Sequence, residues 1–394
     1  MRILNVTAQK PHSTGSGVYL TETVRQFAAL GHQTAVVAGV CAGDSAVFPE
    51  GTAFYPVYYK TPALPFPVCG MSDEMPYEST VYRSMSEEMT GQFECAFSAA
   101  LIDAAADFKP DVIICHHLYL LAALTRRLFP SIPVWGVCHG TDLRQMAAHK
   151  LRREEIVRNI ARLDKVCCLH ENQRREVIAC YGVPAEKTAV VGVGYNERIF
   201  YDRHIRAPHR DIRLIYAGKI SEKKGVYSLI SALDRLNLNK EDFTLRLAGG
   251  WNGSAQYEKA RSLIDRSGWD VRLLGPLPQE KLAEELSAAD VFVLPSFYEG
   301  LPLVLAEAMA CGARVVCTNL PGIREWMDKA VPGNGIHFVP PPPMENTDRP
   351  CAGALPDFER ALAAAIKAAA DDAPRSPSLS ALSWQAVSKR ILGE

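Results

Sequence analysis

The chain has 394 residues, 48% hydrophobic and 22% charged, with a formal net charge of −1 at pH 7. That length favours two domains over one core. The composition excludes a disordered or fibrous chain, and the near-neutral charge gives no ground for bulk nucleic-acid or membrane-surface binding.

The first residues, "MRILNVTA", run straight into a strand-like segment with no targeting signal. No apolar run approaches the roughly 18 residues that would span a bilayer, which leaves only peripheral membrane contact open. The eleven cysteines are an odd number, mostly set within apolar runs such as those holding Cys115, Cys138, Cys167, Cys168 and Cys317. Reduced, buried thiols in a cytoplasmic protein are expected.

Short Val/Ile/Leu-rich runs then alternate with helix-length segments, the pattern of parallel strands covered by helices on both faces. The first half predicts strands over 3–7, 34–38, 112–115, 134–138, 166–169 and 189–191. The second predicts them over 213–217, 244–248, 271–274, 291–294, 314–317 and 336–339. The polar stretch "NERIFYDRHIRAPHRD" at 196–211 reads as a linker, giving α/β domains over 1–200 and 201–378. Residues 49–80, rich in proline and tyrosine, read as an irregular excursion, and "VPPPPMENTDRP" at 339–350 as a stiff loop. Residues 379–394 follow the break "DDAPRSPS" and read as a Ser-capped amphipathic helix that crosses back to the first domain.

"TGSGVYL", at 14–20, opens the first helix. A dinucleotide fingerprint would need glycine where Leu20 stands and an acid after the second strand, where the chain has "AVVAG". A nicotinamide site is therefore not expected, nor any other cofactor. Gly15 and Gly17 either shape a tight turn or let backbone amides face an anionic group at a helix N-terminus.

The stretch "PSFYEGLPLVLAEAMACGARVV", 295–316, places one charge, Glu307, inside an otherwise apolar helix. A carboxylate stripped of water without a partner costs several kcal/mol, so it is tied to a protein group or reserved for a ligand. The helix is expected to start at Leu301–Pro302, with the proline in its first turn. Its N-terminus would then point out of the carboxyl edge of the sheet and favour phosphate. Glu299 precedes that end and Glu307 follows it. Structural alternatives are a buried ion pair for Glu307 and a solvated loop acid for Glu299.

Glu299 and Glu307, with seven residues between them, resemble the Glu-x7-Glu motif of retaining glycosyltransferase family 4. "IYAGKISEKKGVYSLISAL" (215–233), "LAGGWNGS" (247–254) and "LLGPLPQEKLAEELSAAD" (273–290) resemble that family's successive blocks. "TGSGVYLTETVRQFAALGHQTAVV" (14–37) and "GVGYNERIF" (192–200) extend the resemblance through the first half. The resemblance implies a GT-B fold, two facing Rossmann-like doubly wound domains with the site in the cleft between them. It further implies transfer of a hexose from a UDP- or GDP-linked donor to a hydroxyl acceptor, which is a glycan, a lipid-linked sugar or a small molecule.

Carried over, Glu307 would accept from ribose hydroxyls and Glu299 from the transferred sugar. The backbone amides of Gly300, Leu301, Pro302, Leu303 and Val304 would hold sugar and phosphate oxygens. Lys219 and Lys224 would neutralise the diphosphate, with Lys219 standing where the family usually has arginine. His139, in "CHGTD", matches the active-site histidine, and Gly15 and Gly17 would approach the diphosphate. Two lysines and a helix N-terminus supply positive charge without a metal, so none is expected. His116 and His117 end a strand nearby with no role assigned, and Arg152 or Arg153 is a weaker candidate for a charged acceptor. A nucleotide-sugar 2-epimerase and a non-catalytic nucleotide-sugar binder are the alternatives.

Overall fold

Buried β-branched runs form the strands of both halves. The computed structural model describes residues 1–72, 75–205, 211–236, 239–250, 254–346, 349–373 and 375–394. The chain divides into two units, Met1–Val193 with Trp384–Glu394, and Gly194–Ser383. Residues 206–210 of the expected linker, and parts of "LAGGWNGS", "VPPPPMENTDRP" and "DDAPRSPS", lie outside the described residues.

In the first unit the strands are β1 (Arg2–Thr7), β2 (Gln33–Cys41), β3 (Ala53–Tyr59), β4 (Cys69–Gly70), β5 (Thr80–Val81), β6 (Val112–His116), β7 (Val134–Val137), β8 (Lys165–Cys168) and β9 (Thr188–Val190). Seven of them, among the described residues, make one parallel sheet in the order β3-β2-β1-β6-β7-β8-β9. Leu4, Val6, Ile113 and Val134 are fully buried in its core. β3 lies inside the segment expected to be irregular. Its Pro56 pairs opposite Ala38 on the outermost strand, where a missing backbone N–H is tolerated.

The second unit carries β10 (Ile212–Ala217), β11 (Phe243–Ala248), β12 (Asp270–Gly275), β13 (Val291–Leu294), β14 (Arg314–Thr318) and β15 (His337–Val339). They form a parallel sheet in the order β12-β11-β10-β13-β14-β15. Val291, Phe292 and Val293 have no exposed surface, as a strand covered on both faces requires.

The strand order reverses between β1 and β6 in one sheet and between β10 and β13 in the other. In open α/β sheets, ligands bind outside the carboxyl ends of the strands at such switch points. Each sheet thus nominates its own loops: those after Thr7 and His116, and those after Ala217 and Leu294.

The division between units does not fall in the polar stretch. Tyr195 N–H donates to Leu382 O at 3.0 Å, Phe200 is buried, and Ser287 Oγ donates to Tyr201 O at 3.2 Å. Residues 194–201 are therefore held on the second unit, because their apolar members outweigh their charges. The terminal helix Trp384–Leu392 belongs to the first unit. There Trp384 packs edge-on against Tyr19 at 5.0 Å, Arg390 Nε donates to Val191 O at 2.8 Å, and Lys165 Nζ donates to Ile391 O at 2.8 Å.

Candidate active site

In the second unit, β10 ends at Ala217 and the chain turns through Gly218–Ile220 before a short 3-10 segment, Glu222–Lys224. Tyr216 Oη donates to Lys219 O at 2.6 Å, which pins that turn. Gly225 follows with φ 66°, and a Cβ there would lie 2.0 Å from Pro295 O. Only glycine allows the β10 and β13 loops to approach this closely. Phe297 N–H closes the same seam by donating to Lys223 O at 3.0 Å.

That approach delivers Lys224 to Glu299 across 75 positions of sequence. Lys224 Nζ sits 2.7 Å from Glu299 Oε1, and Ser296 Oγ donates to the same oxygen at 2.7 Å. The two side chains are only 29% and 14% exposed, so the pair is partly shielded from solvent. Burial raises the Tyr216 hydroxyl well above its usual pKa, and the Glu299 carboxylate adds to the effect. Burial likewise pushes the Cys317 thiol up, with Glu299 again contributing. Glu299 therefore projects its charge over the carboxyl ends of β10 and β14.

The helix after this loop is Leu303–Ala310, not one beginning at Leu301. Pro302 occupies the N-cap position in extended conformation, φ −74° and ψ 119°, and no side chain caps the helix. A residue before proline is biased away from helix, which is why Leu301 stays outside. Pro302 also has no N–H, so it cannot be among the expected amide donors. Gly300, Leu301, Leu303 and Val304 keep theirs. Glu307 lies four residues beyond Leu303, about 6 Å along the axis, and is 8% exposed. Together with burial, its carboxylate raises the Cys311 thiol to about 11, against opposing contributions from Ser287 and Arg203. Lys219, Lys224, Glu299 and Glu307 thus share one end of one sheet.

The first unit assembles a different cluster. β6 ends at His116, and His117 follows in the left-handed region at φ 73°, an uncommon conformation for a residue with a side chain. Such strain concentrates at functional sites. β7 ends at Val137, and His139 comes after Cys138. His116 Nδ1 is 3.2 Å from His139 Nε2, with ring centroids 5.4 Å apart and planes within 18° of each other. The His117 ring lies 4.7 Å from that of His139, and Tyr19 meets His139 edge-on at 5.1 Å. Desolvation holds all three imidazoles below their ordinary pKa, His117 at about 3, and each is further disfavoured as a cation by another histidine of the trio.

Asp142, which closes the motif "CHGTD" and has no role legible in the sequence, anchors this turn. Its carboxylate is fully buried and accepts from Leu118 N (2.8 Å), His139 N (3.3 Å) and Cys138 Sγ (3.3 Å). Burial nevertheless raises its pKa. Tyr19, likewise unassigned from sequence, donates to Gly192 O at 3.2 Å and walls the histidine cluster.

The two glycines of the first helix, Gly15–Ala29, differ in kind. A Cβ at Gly17 would lie 2.9 Å from His12 N, whereas one at Gly15 would meet nothing within 4 Å. The Gly17 N–H is already given to Thr14 Oγ1 at 3.1 Å. Gly17 therefore shapes the turn, and Gly15 is the exposed member. Arg152 instead pairs with Glu87 at 2.7 Å, and Arg153 donates to Met146 O. Among the described residues, no group of three or more His, Cys, Asp or Glu side chains is placed to hold a metal ion. Also among them, no helix is long and apolar enough to cross a membrane.

Two parallel-sheet α/β domains of this kind define the GT-B architecture. Over its full length the chain superposes on sucrose-phosphate synthase from Thermosynechococcus elongatus, with a TM-score of 0.66, 19% identity and 98% of that chain covered. It likewise superposes on HepE of Anabaena in complex with UDP and glucose, with a TM-score of 0.64, 15% identity and 98% covered.

The model of the glycosyl transferase 4-like domain matches residues 14–194, and that of glycosyl transferases group 1 matches residues 197–349. The amylovoran biosynthesis glycosyltransferase AmsK of Erwinia amylovora is 30% identical over 258 residues, 62% of this chain and 63% of that protein. A D-inositol 3-phosphate glycosyltransferase of Streptomyces bingchenggensis is 26% identical over 360 residues, 82% of this chain and 74% of that protein. The putative colanic acid biosynthesis glycosyltransferase WcaL of Salmonella typhimurium is 32% identical over 189 residues. The chain spans less than two thirds of the length of AmsK and of WcaL, 63% and 44%. The chain belongs to the GT-B glycosyltransferases of the family 4 type.

Proposed function

We propose that the protein transfers a hexose from a nucleoside diphosphate-sugar, UDP- or GDP-linked, to a hydroxyl acceptor with retention of anomeric configuration. The observation that carries this reading is the carboxyl edge of β10 and β13. There Lys224 meets Glu299 at 2.7 Å beside an uncapped helix whose buried Glu307 lies one turn further in.

In this reading the diphosphate takes the ammonium groups of Lys219 and Lys224 and the amides at Leu303 and Val304. Positive charge then stands where negative charge builds as the anomeric C–O bond breaks. Glu307 accepts from the ribose hydroxyls, and Glu299 turns from Lys224 toward hydroxyls of the sugar. Bond formation to the acceptor oxygen occurs on the face the leaving group vacates, and the acceptor proton passes to a departing phosphate oxygen. That step needs no carboxylate nucleophile. The family resemblance alone assigns His139 to the transferred sugar. AmsK and WcaL are named for amylovoran and colanic acid biosynthesis, which supports a glycan or a lipid-linked sugar as the acceptor.

The test is incubation with UDP-glucose, UDP-GlcNAc and GDP-mannose, with and without acceptor extracts, following nucleotide by chromatography. Release of the nucleoside diphosphate with a glycosylated product supports the transferase. An epimerised sugar identifies the isomerase, and donor binding without turnover identifies a binding protein.

A further inference from the structure

His116 and His139 come from neighbouring strands, and each presents one ring nitrogen to the other at 3.2 Å. Two neutral imidazoles in contact share one proton, so only two arrangements exist. In one, His139 donates from Nε2 and His116 carries its own proton on Nε2. His116 Nε2 is buried and has no acceptor among the described residues, as is His117 Nε2. That arrangement strands an N–H in the interior, and orphaned buried N–H groups are rare. In the other, His116 donates from Nδ1 to His139 Nε2, and the buried atom is a bare lone pair.

We infer that His116 is a positioning residue that holds His139 as its Nδ1–H tautomer, leaving Nδ1–H as a donor for a sugar oxygen. No described residue bonds His139 Nδ1. Which nitrogen of a histidine carries the proton is set by the hydrogen bond its other nitrogen makes. The near-parallel planes, 18° apart, and the edge of Tyr19 at 5.1 Å fix the ring plane as well. The role assigned to the Nδ1–H donor rests on the proposed transferase reading; the tautomer itself does not.

Long-range proton–nitrogen NMR of the full chain, selectively labelled with 15N-histidine, reads the tautomer directly, with His139→Gln used for assignment. The expected result is an Nδ1–H signature for His139 that is lost in His116→Phe. It should be kept in His116→Asn, whose amide N–H reaches the position of Nδ1. Turnover at saturating donor should fall about tenfold in His116→Phe with the donor KM within about twofold, and return in His116→Asn. An Nε2–H signature for His139 in the wild-type chain overturns the inference, even should the phenylalanine variant fail to fold. So does a signature indifferent to His116→Phe. A wild-type chain with no turnover on any donor overturns the transferase reading alone, because the tautomer spectra still decide this one.

Discussion

Replacing Lys224 by methionine keeps the length of the side chain and removes its charge. In the ligand-free fold this breaks a contact of 2.7 Å to Glu299, which retains Ser296 Oγ at 2.7 Å. A partly exposed ion pair contributes about 0–1 kcal/mol, so unliganded stability should change by less than about 1 kcal/mol. The cost to donor binding is larger. A charge-assisted contact to phosphate contributes about 1.5–3 kcal/mol, and a middle value of about 2 kcal/mol is roughly a 30-fold weaker Kd. At a donor concentration 100 times the wild-type Kd, binding stabilises the fold by about 2.7 kcal/mol. The variant at that concentration should keep about 0.9 kcal/mol, or one third of the shift. Thermal melts with and without UDP-sugar, calibrated by urea titration, measure both terms. A Lys224→Met protein with the wild-type donor shift would refute the placement of the diphosphate at Lys224.

Glu307→Gln should weaken donor binding about 10- to 100-fold by removing charge-assisted acceptance from the ribose, and isothermal titration with UDP measures it. Gly225→Ala should destabilise the second unit by about 2 kcal/mol or more, since φ 66° and a Cβ 2.0 Å from Pro295 O both oppose it; the urea midpoint of that unit reads the loss. His117 is held neutral at about 3 by burial and by His116, so the unfolded chain binds the proton first as pH falls below about 6.5. Its contribution to stability is full above that pH and declines toward pH 3, by up to about 1.4 kcal/mol per pH unit; His117→Gln should flatten the slope of urea stability between those limits. Nucleotide release should persist in excess chelator if Lys219, Lys224 and the helix amides supply the positive charge as proposed; loss of release on chelation, restored by a divalent ion, would contradict that.

The alternation of buried apolar runs and helix-length segments was legible because strands covered on both faces leave few other readings. β3 was not, since Pro56 and three tyrosines disguise a strand that edge position alone makes acceptable. Spacing displayed Glu299 and Glu307 together because both lie on one loop-helix segment. The Lys224–Glu299 contact could not be read from spacing, because it depends on β10 and β13 being neighbours at the point where strand order reverses. The histidine cluster is hidden for the same reason. "CHHLY" and "CHGTD" lie on different strands, and only the β6–β7 register brings His116 opposite Val137 and so within reach of His139. Asp142 takes no role from the sequence alone, because its burial beneath the Leu118, Cys138 and His139 donors is a property of packing.

A crystal structure with a bound nucleoside diphosphate tests the central claim most directly. The diphosphate should lie within hydrogen-bonding distance of Lys219, Lys224 and the Leu303 and Val304 amides, with both ribose hydroxyls on the Glu307 carboxylate. A nucleotide bound away from the carboxyl ends of β10 and β13, with Glu307 untouched, would contradict it.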